Sequence, residues 1–433
     1  MKKFFQKLFQ PKIERKYSAF SQGYESLYQT RRLTPVRALE YYNTVAPVHT
    51  AINMIATEVS SLDLIEFNIR TDEQNVESDL LSLLKFPNAD CPQYEFMTQL
   101  TSFYKLTGNA FIIATGPVHK PAIELHIVNP MNIIMNTDDS GELVSVQVMS
   151  NGKIDQTFLK EEVDGRYRYY SGDAELWHIK SFNSRYAAGD TLGTSDLSPI
   201  LIEIEQYQEA SHHNLSLLKR GARPSGAIKV DEMLTDEQFQ RLQQQLENFY
   251  SGSHNAGRAM ILEGGDFVEM SQTNKDMDFA NLKKEITSTI YNALKIPLPM
   301  VNAEFSSYNN METAKLNFYD NAVLPTAKRL LEELTIFLMH RYDNLGIIEL
   351  RYDLETIEAL EPRRNQELLK LKDSGVLTIN ELRSQLGYEE LDGGDTLFIS
   401  STLMPIDGNL SIEDLAKNID EVVKLNTKAC KHK

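Results

Sequence analysis

The side chains suited to chemistry are few and scattered. His212 and His213 are neighbours in a stretch of helical period. Adjacent helical residues point about 100° apart, so the pair is poorly placed to share one metal. Asp138-Asp139-Ser140-Gly141 has a calcium-loop flavour, but it lacks the twelve-residue pattern and terminal Glu, so it reads as a hairpin turn. Glu389, Glu390, Asp392 and Asp395 surround Gly393-Gly394 and read as a solvated loop, with a cation site as the alternative. Trp177-His178-Ile179-Lys180 reads as a buried strand end. No G-x-x-x-x-G-K-[ST], G-x-G-x-x-G, H-E-x-x-H or G-x-S-x-G motif occurs. The residues therefore predict no catalytic centre, no cofactor and no metal.

Composition supports a protein of ordinary globular type. The chain has 433 residues, 42% hydrophobic and 24% charged, enough for two or three domains. Cys91 and Cys430 cannot build a disulfide framework, which fits a reducing cytosol. No apolar run reaches the length of a membrane span. The start, Met1-Lys-Lys-Phe-Phe-Gln-Lys-Leu-Phe-Gln, is too short and interrupted for a signal peptide and reads as an amphipathic arm. That arm either contacts a membrane or partner or is a frayed basic terminus.

Charge is segregated. Residues 1–37 hold nine Lys/Arg and two Glu, a net of +7; the total of -17 leaves -24 for the remainder. Such an acidic body is a poor gripper of phosphates, but it does not exclude a protein that lets nucleic acid pass.

The elements that must position these residues follow from periodicity. A helix is predicted over 47–62, where Val48, Ile52, Ile55, Val59 and Leu62 recur at helical spacing after Pro47. Another runs over 92–107, between Pro92 and Gly108. From Asn109 to Lys180 the period is two: Ile123, Leu125 and Ile127 alternate with polar residues, as do Val144, Val146 and Val148. Asn151-Gly152 is a further turn signal. The first 196 residues thus predict an α+β domain with an antiparallel sheet.

Ser198-Pro199 opens a long helix as cap and first residue, with Ile200, Ile204, Tyr207, Ser211, Leu215 and Leu218 on one stripe. A compact insert follows: a strand at Ala227–Val230, a helix from the Thr235/Gln238 capping box to about Tyr250, and a hairpin of Ala259–Leu262 with Asp266–Met270. A second long helix carries Phe279, Leu282, Ile286, Ile290 and Leu294. Pro297 and Pro299 argue against a helix over 296–308, which reads as a loop with an unusually apolar tip. It is either a surface connector or a loop projecting into a shared space. Asn309 with Glu312 resembles a capping box for a helix kinked at Pro325. Ile347–Tyr352 is a strand, Pro362 and Gly375 bracket a helix, and Thr378/Glu381 opens one ending at Gly387. After Leu410 a short amphipathic helix is expected.

Two long helices around a self-contained module resemble a rod with a head. Ordered segments carry a closer resemblance: Leu84-Lys-Phe-Pro-Asn88, Gly108-Asn-Ala-Phe-Ile112, Val128-Asn-Pro130, Leu176-Trp-His-Ile-Lys180, Gly193-Thr-Ser195, Gly221-Ala-Arg-Pro-Ser-Gly226, Leu234-Thr-Asp-Glu-Gln238, Asn255-Ala-Gly257, Ile296-Pro297, Tyr308-Asn-Asn-Met-Glu312 and Leu324-Pro325. Over about residues 40–390 the chain resembles the portal proteins of tailed double-stranded DNA bacteriophages, in the long-tailed branch. The joint order, more than any one piece, carries the resemblance.

The resemblance implies a ring, generally of twelve subunits with thirteen as the alternative, at one capsid vertex of the virion, assembled in the host cytoplasm. It implies the portal fold: an α/β wing, a two-helix stem, a small α/β clip, a kinked long helix and a short helical crown. Here these map to a basic arm (1–37), wing (38–196), stem helix (197–223), clip (224–277), stem helix (278–296), tunnel loop (297–310), kinked helix with wing strand (311–360), crown (361–400) and tail (401–433). The implied DNA-facing residues are Pro299, Met300, Val301, Asn302, Phe305, Ser306 and Tyr308. The implied terminase- and adaptor-facing residues are Thr235, Asp236, Gln238, Gln244, Glu247, His254 and Asn255. Implied partners are the terminase large subunit, major capsid and scaffolding proteins, a head–tail adaptor and non-specifically held duplex DNA, with no membrane and no cofactor.

Geometry is compatible with that expectation. Twelve helices at ~10 Å give a circumference of ~120 Å and an axis radius of ~19 Å. Subtracting a helix radius of ~5 Å leaves a bore of ~28 Å. Groove depths imply a duplex roughly 20 Å across. The alternatives are another ring-forming head-completion connector, usually a shorter chain, and an acidic cytosolic enzyme whose site the sequence does not reveal.

Overall fold

The computed structural model describes residues 33–395, apart from 118–119, 164–165, 184–190, 220–225, 231–234, 239, 242–264, 270–274, 303–307, 343–346, 375–376 and 386–387. Two compact units, Met1–Ala359 and Leu360–Lys433, divide the chain. The helix expected after Leu410 lies outside the described residues.

Helix α1 (Pro35–Thr44) starts at Thr34, whose Oγ1 accepts from the Arg37 amide at 3.3 Å. It begins inside the segment expected as an arm. Helix α2 (Ala46–Ser60) has Pro47 in its first turn and buries Val48, Ile52, Ile55 and Val59. Strands β1 (Leu64–Asn68) and β2 (Glu73–Asn75) and helix α3 (Asp79–Lys85) follow. Helix α4 (Gln93–Thr107) ends at Gly108, which takes the left-handed φ of 72° that a C-terminal cap requires.

The next strands are β3 (Asn109–Thr115), β4 (Glu124–Val128), β5 (Ile133–Thr137), β6 (Leu143–Ser150), β7 (Lys153–Val163), β8 (Arg166–Ser171) and β9 (Ala174–Lys180). Their sheet is antiparallel in the order β4-β3-β9-β8-β7-β6-β5. Asn151 and Gly152 have φ of 49° and 74°, the turn expected between β6 and β7. Asp138 Oδ1 accepts from the amides of Ser140 (3.0 Å) and Glu142 (2.8 Å), so this carboxylate organises a turn. Ile123 and Val144 are exposed, against the expected alternation. Ile123 precedes the start of β4, and Val144 adjoins the irregular first residues of β6 opposite a register shift.

This sheet must curl. Val128 and Ile133 belong to opposite edge strands but are five residues apart, a reach of at most ~18 Å. A flat sheet would put its edges ~29 Å apart, six spacings of ~4.8 Å. Curling encloses one core that draws Phe111, Val128, Val146, Phe158 and Leu176 from strands across the whole sheet.

A 3₁₀ turn at Ser198–Ile200 leads into α5 (Leu201–Lys219). Leu197, not Ser198, precedes that turn, and Ser195 Oγ takes the capping work by accepting the Leu197 amide at 3.0 Å. Strands β10 (Gly226–Val230) and β11 (Gly265–Glu269) pair antiparallel. The strand expected at Ala259–Leu262 lies outside the described residues; β11 pairs with β10, and Gly265 stands in it instead of in a turn. Helix α6 (Lys275–Ala293), helix α7 (Leu298–Val301) and helix α8 (Tyr308–Phe318) come next. Asn309 lies inside α8, so it is not its cap.

The kink expected at Pro325 takes a different form. Residues Tyr319–Val323 form one wide π turn, closed by the Leu324 amide donating to the Tyr319 carbonyl. Helix α9 (Leu324–Leu338) then begins, with Pro325 in its first turn. The wider turn accommodates a proline that can neither donate nor tolerate the carbonyl four residues back.

Strand β12 (Ile348–Tyr352) completes a second antiparallel sheet, β12-β1-β2. Helix α9 lies between the sheets. Trp177 of β9 stacks on Phe337 at 5.5 Å and donates Nε1 to Glu333 at 3.1 Å. Thr335 Oγ1 accepts from the Leu350 amide of β12 at 3.1 Å. At ~100° per residue, Thr335 is ~200° around the helix from both Glu333 and Phe337. The two sheets thus cover opposite faces of α9.

The second unit contains α10 (Glu361–Ser374) and α11 (Ile379–Gln385). The Glu381 amide donates to Thr378 Oγ1 at 3.1 Å and Glu381 Oε2 accepts the Thr378 amide at 2.8 Å, the expected reciprocal cap. Asn380 Nδ2 donates to Asp395 Oδ1 at 2.8 Å, and Asn380 Oδ1 accepts the Leu391 amide at 2.8 Å. An amide side chain therefore anchors the acidic loop.

Candidate functional site

The site begins with the paired helices. Tyr207 of α5 lies beneath Lys283 of α6, with Nζ 4.6 Å from the ring centre. Ile204 and Ala210 are buried on one helix, and Ile286, Ile290 and Tyr291 on the other. Leu215, expected on the apolar stripe, is exposed. Against the segments expected as stem helices, 197–223 and 278–296, the described helices are Leu201–Lys219 and Lys275–Ala293.

Helix α1 ties to this pair. Arg37 Nη2 donates to Glu205 Oε1 of α5 and to the Tyr41 hydroxyl, both at 2.7 Å. A residue of the basic segment is thus held on a helix.

A strained exit leads into the loop. Lys295 has φ of 61°, and the Ile296 amide donates to the Tyr291 carbonyl at 2.8 Å. Ile296 is buried beneath that cap. A left-handed non-glycine costs about 1 kcal/mol or more, so the exit direction is enforced by the packing around it.

The expected irregular loop holds one helical turn, α7. Pro297 is its N-cap and Pro299 lies in its first turn, where no intrahelical donor is missed. The Met300 amide donates to the Pro297 carbonyl at 3.1 Å and Asn302 to Leu298 at 2.9 Å. Pro299, Met300, Val301 and Asn302 are half-buried in the single chain, not a bare tip. Phe305 and Ser306 lie outside the described residues, and Tyr308 begins α8.

Of the residues expected on the insert, Thr235, Asp236 and Gln238 are described, and all are exposed. Gln238 Oε1 accepts from the Thr235 amide at 3.0 Å and its hydroxyl at 3.1 Å, half of the expected box. Gln244, Glu247, His254 and Asn255 lie outside the described residues. His212 and His213 are exposed on α5. Among the described residues no three His, Cys, Asp or Glu are grouped to hold a metal, and no helix is long and apolar enough to cross a membrane.

One cluster had no sequence signal beyond a charged residue at core parity in a strand. Glu175 of β9 is fully buried and accepts from Arg168 Nη1 at 2.7 Å and Arg341 Nε at 3.0 Å. His340 Nε2 lies 3.2 Å away. Burial alone would push this carboxyl up; His340 and Arg168 outweigh it and hold it below the ordinary carboxylate range.

A sequence profile described as phage portal protein matches residues 46–387, from the first residue of α2 to just past α11. The chain belongs to the phage portal protein family. That family is structural, not enzymatic. The chain is 28% identical to an uncharacterized protein of Rickettsia bellii over 365 residues, 83% of this chain and 90% of that one. It is 22% identical to the portal protein of Enterobacteria phage HK97 over 381 residues, 84% of this chain and 83% of the phage protein. Among solved structures, a chain in the neck of an empty gene transfer agent particle, computed with C6 symmetry, matches with TM-score 0.58 at 26% identity. The match covers 82% of this portal-family chain and 94% of the neck chain. The neck of the native particle, computed with C12 symmetry, gives 0.55 at the same identity, covering 83% and 95%.

Proposed function

We propose that the chain is one subunit of a ring, twelve copies with thirteen as the alternative, at the unique vertex of a phage or gene-transfer-agent head. The ring is the channel through which a separate terminase drives duplex DNA, the exit for that DNA, and the platform joining head to tail. The observation that carries this reading is the family match over residues 46–387, which includes the whole order of sheet domain, paired helices, insert, apolar turn and long helix. The C12 neck of the similar particle supports the subunit number.

In this reading α5 and α6 form the stem. At 19 residues each they span ~28 Å. The insert carrying Thr235 and Gln238 faces terminase and later the adaptor. Residues Pro299–Asn302 meet DNA, and their apolar character lets them touch the backbone without holding it by charge. Major capsid and scaffolding proteins surround the sheet domain. Deleting residues 299–308 is expected to leave assembly intact and to lower packaging or retention of DNA. Normal packaging by that variant would overturn the loop assignment.

A further inference from the structure

An open groove of about 530 Å³ lies where β9 leaves the curled sheet, between α4 and α9. Tyr104, Lys180, Phe182, Leu192 and Arg329 line it, with no carboxylate among the described lining residues. Phe182 is 86% exposed, the most exposed large apolar side chain described. Burying so large a ring is a principal source of contact energy. Arg329 is paired with Glu333, which offsets its charge, so Lys180 carries the groove's net positive charge.

A feature of opposite character lies across the protomer. The β1–β2 hairpin projects Val76, which is 71% exposed, and Ile69, which is 46% exposed. Around them stand Glu66, Asp72, Glu73 and Glu77, with Arg70 the one base between Leu64 and Glu77, a net of -3. Helix α9 separates the two features: Arg329 and Glu333 belong to the groove side, and the β12-β1-β2 sheet docks on Thr335, ~200° around the helix from Glu333. One flank therefore offers an aromatic side chain beside Lys180, and the opposite flank an aliphatic tip beside carboxylates.

We propose that the groove at Phe182 receives the β1–β2 hairpin of a second copy of the chain. Complementary patches on opposite flanks give a head-to-tail contact, the kind that closes into a ring instead of stopping at a dimer. Phe182 and Val76 bury each other, and Lys180 faces Glu73. The contact rests on the ring reading above and names the surface that makes the ring.

The test uses the full-length protein. Lys180→Glu and Glu73→Lys are each expected to weaken assembly about fivefold per contact. The combined charge swap is expected to restore assembly. The double variant Val76→Cys/Phe182→Cys is expected to give a disulfide-linked ladder under mild oxidation, absent with either single variant. Rings of full mass with no ladder, and charge variants assembling like the unmodified protein, would overturn this interface and leave the ring reading intact. A protein that forms no ring at any concentration would overturn both.

Discussion

The Nε of Arg341 donates to Oε2 of Glu175 at 3.0 Å, and both side chains are buried. The residues are 166 positions apart, and their contact joins the end of the long helix to the middle of the curled sheet. Arg168 completes the pairing from the neighbouring strand. Glu175→Ala would strand two buried guanidinium groups without their carboxylate. A loss of about 3–5 kcal/mol in unfolding free energy is expected by chemical denaturation. A loss below about 1 kcal/mol would show that the cluster is not a structural joint.

His178 predicts a pH dependence. Its ring stacks on Phe111 at 4.4 Å, and Nε2 donates to Asn109 Oδ1 at 2.9 Å. Burial, with Lys180 adding to it, pushes this imidazole down to about 3. The unfolded chain takes up a proton near 6.5, whereas the folded one does not until about 3. Stability from this group is therefore complete above pH 6.5 and falls as the pH drops towards 3. The slope is at most about 1.4 kcal/mol per pH unit, the ceiling for one proton, and the ring's partial solvent access lowers it. His178→Gln should flatten that part of the denaturation-versus-pH curve; an unchanged slope would contradict the assignment.

Gly108 and Gly193 approach too closely for side chains. A Cβ on Gly108 would come within 2.4 Å of the Thr194 carbonyl, and one on Gly193 within 2.3 Å of the Gly108 oxygen. Either Ala variant should lose roughly 2 kcal/mol or more, measured by thermal melting. The double variant should lose less than the sum, because both break one contact.

The π turn has a measurable anchor. Tyr319 donates its hydroxyl to Glu58 Oε2 at 2.5 Å. Burial, reinforced by that carboxylate, pushes the Tyr319 phenol up, so it stays protonated as the donor. Tyr319→Phe should cost about 1–2 kcal/mol in denaturant unfolding. No change would mean that packing alone holds the turn.

Local rules made much of the fold legible. Gly108 ended α4 because only a left-handed cap fits there, Asn151-Gly152 fixed a tight hairpin, and Thr378/Glu381 closed its own box. The α7 turn is hidden in the sequence because Pro297 and Pro299 read as breakers, although both fall at a helix start. Helix α1 was absorbed into the basic arm because Arg37, read as part of a charged run, is spent on Glu205. The Glu175 cluster was illegible because its partners meet only through tertiary contact. Within the candidate site, Met300 and Val301 stand out as apolar, but a single chain already half-buries them.

The central claim is a ring, and mass in solution tests it most directly. Light scattering on the size-exclusion peak, with particle images of the same peak, should give about twelve or thirteen times 49.4 kDa and a central hole. A compact dimer showing no ring at any concentration would contradict the account.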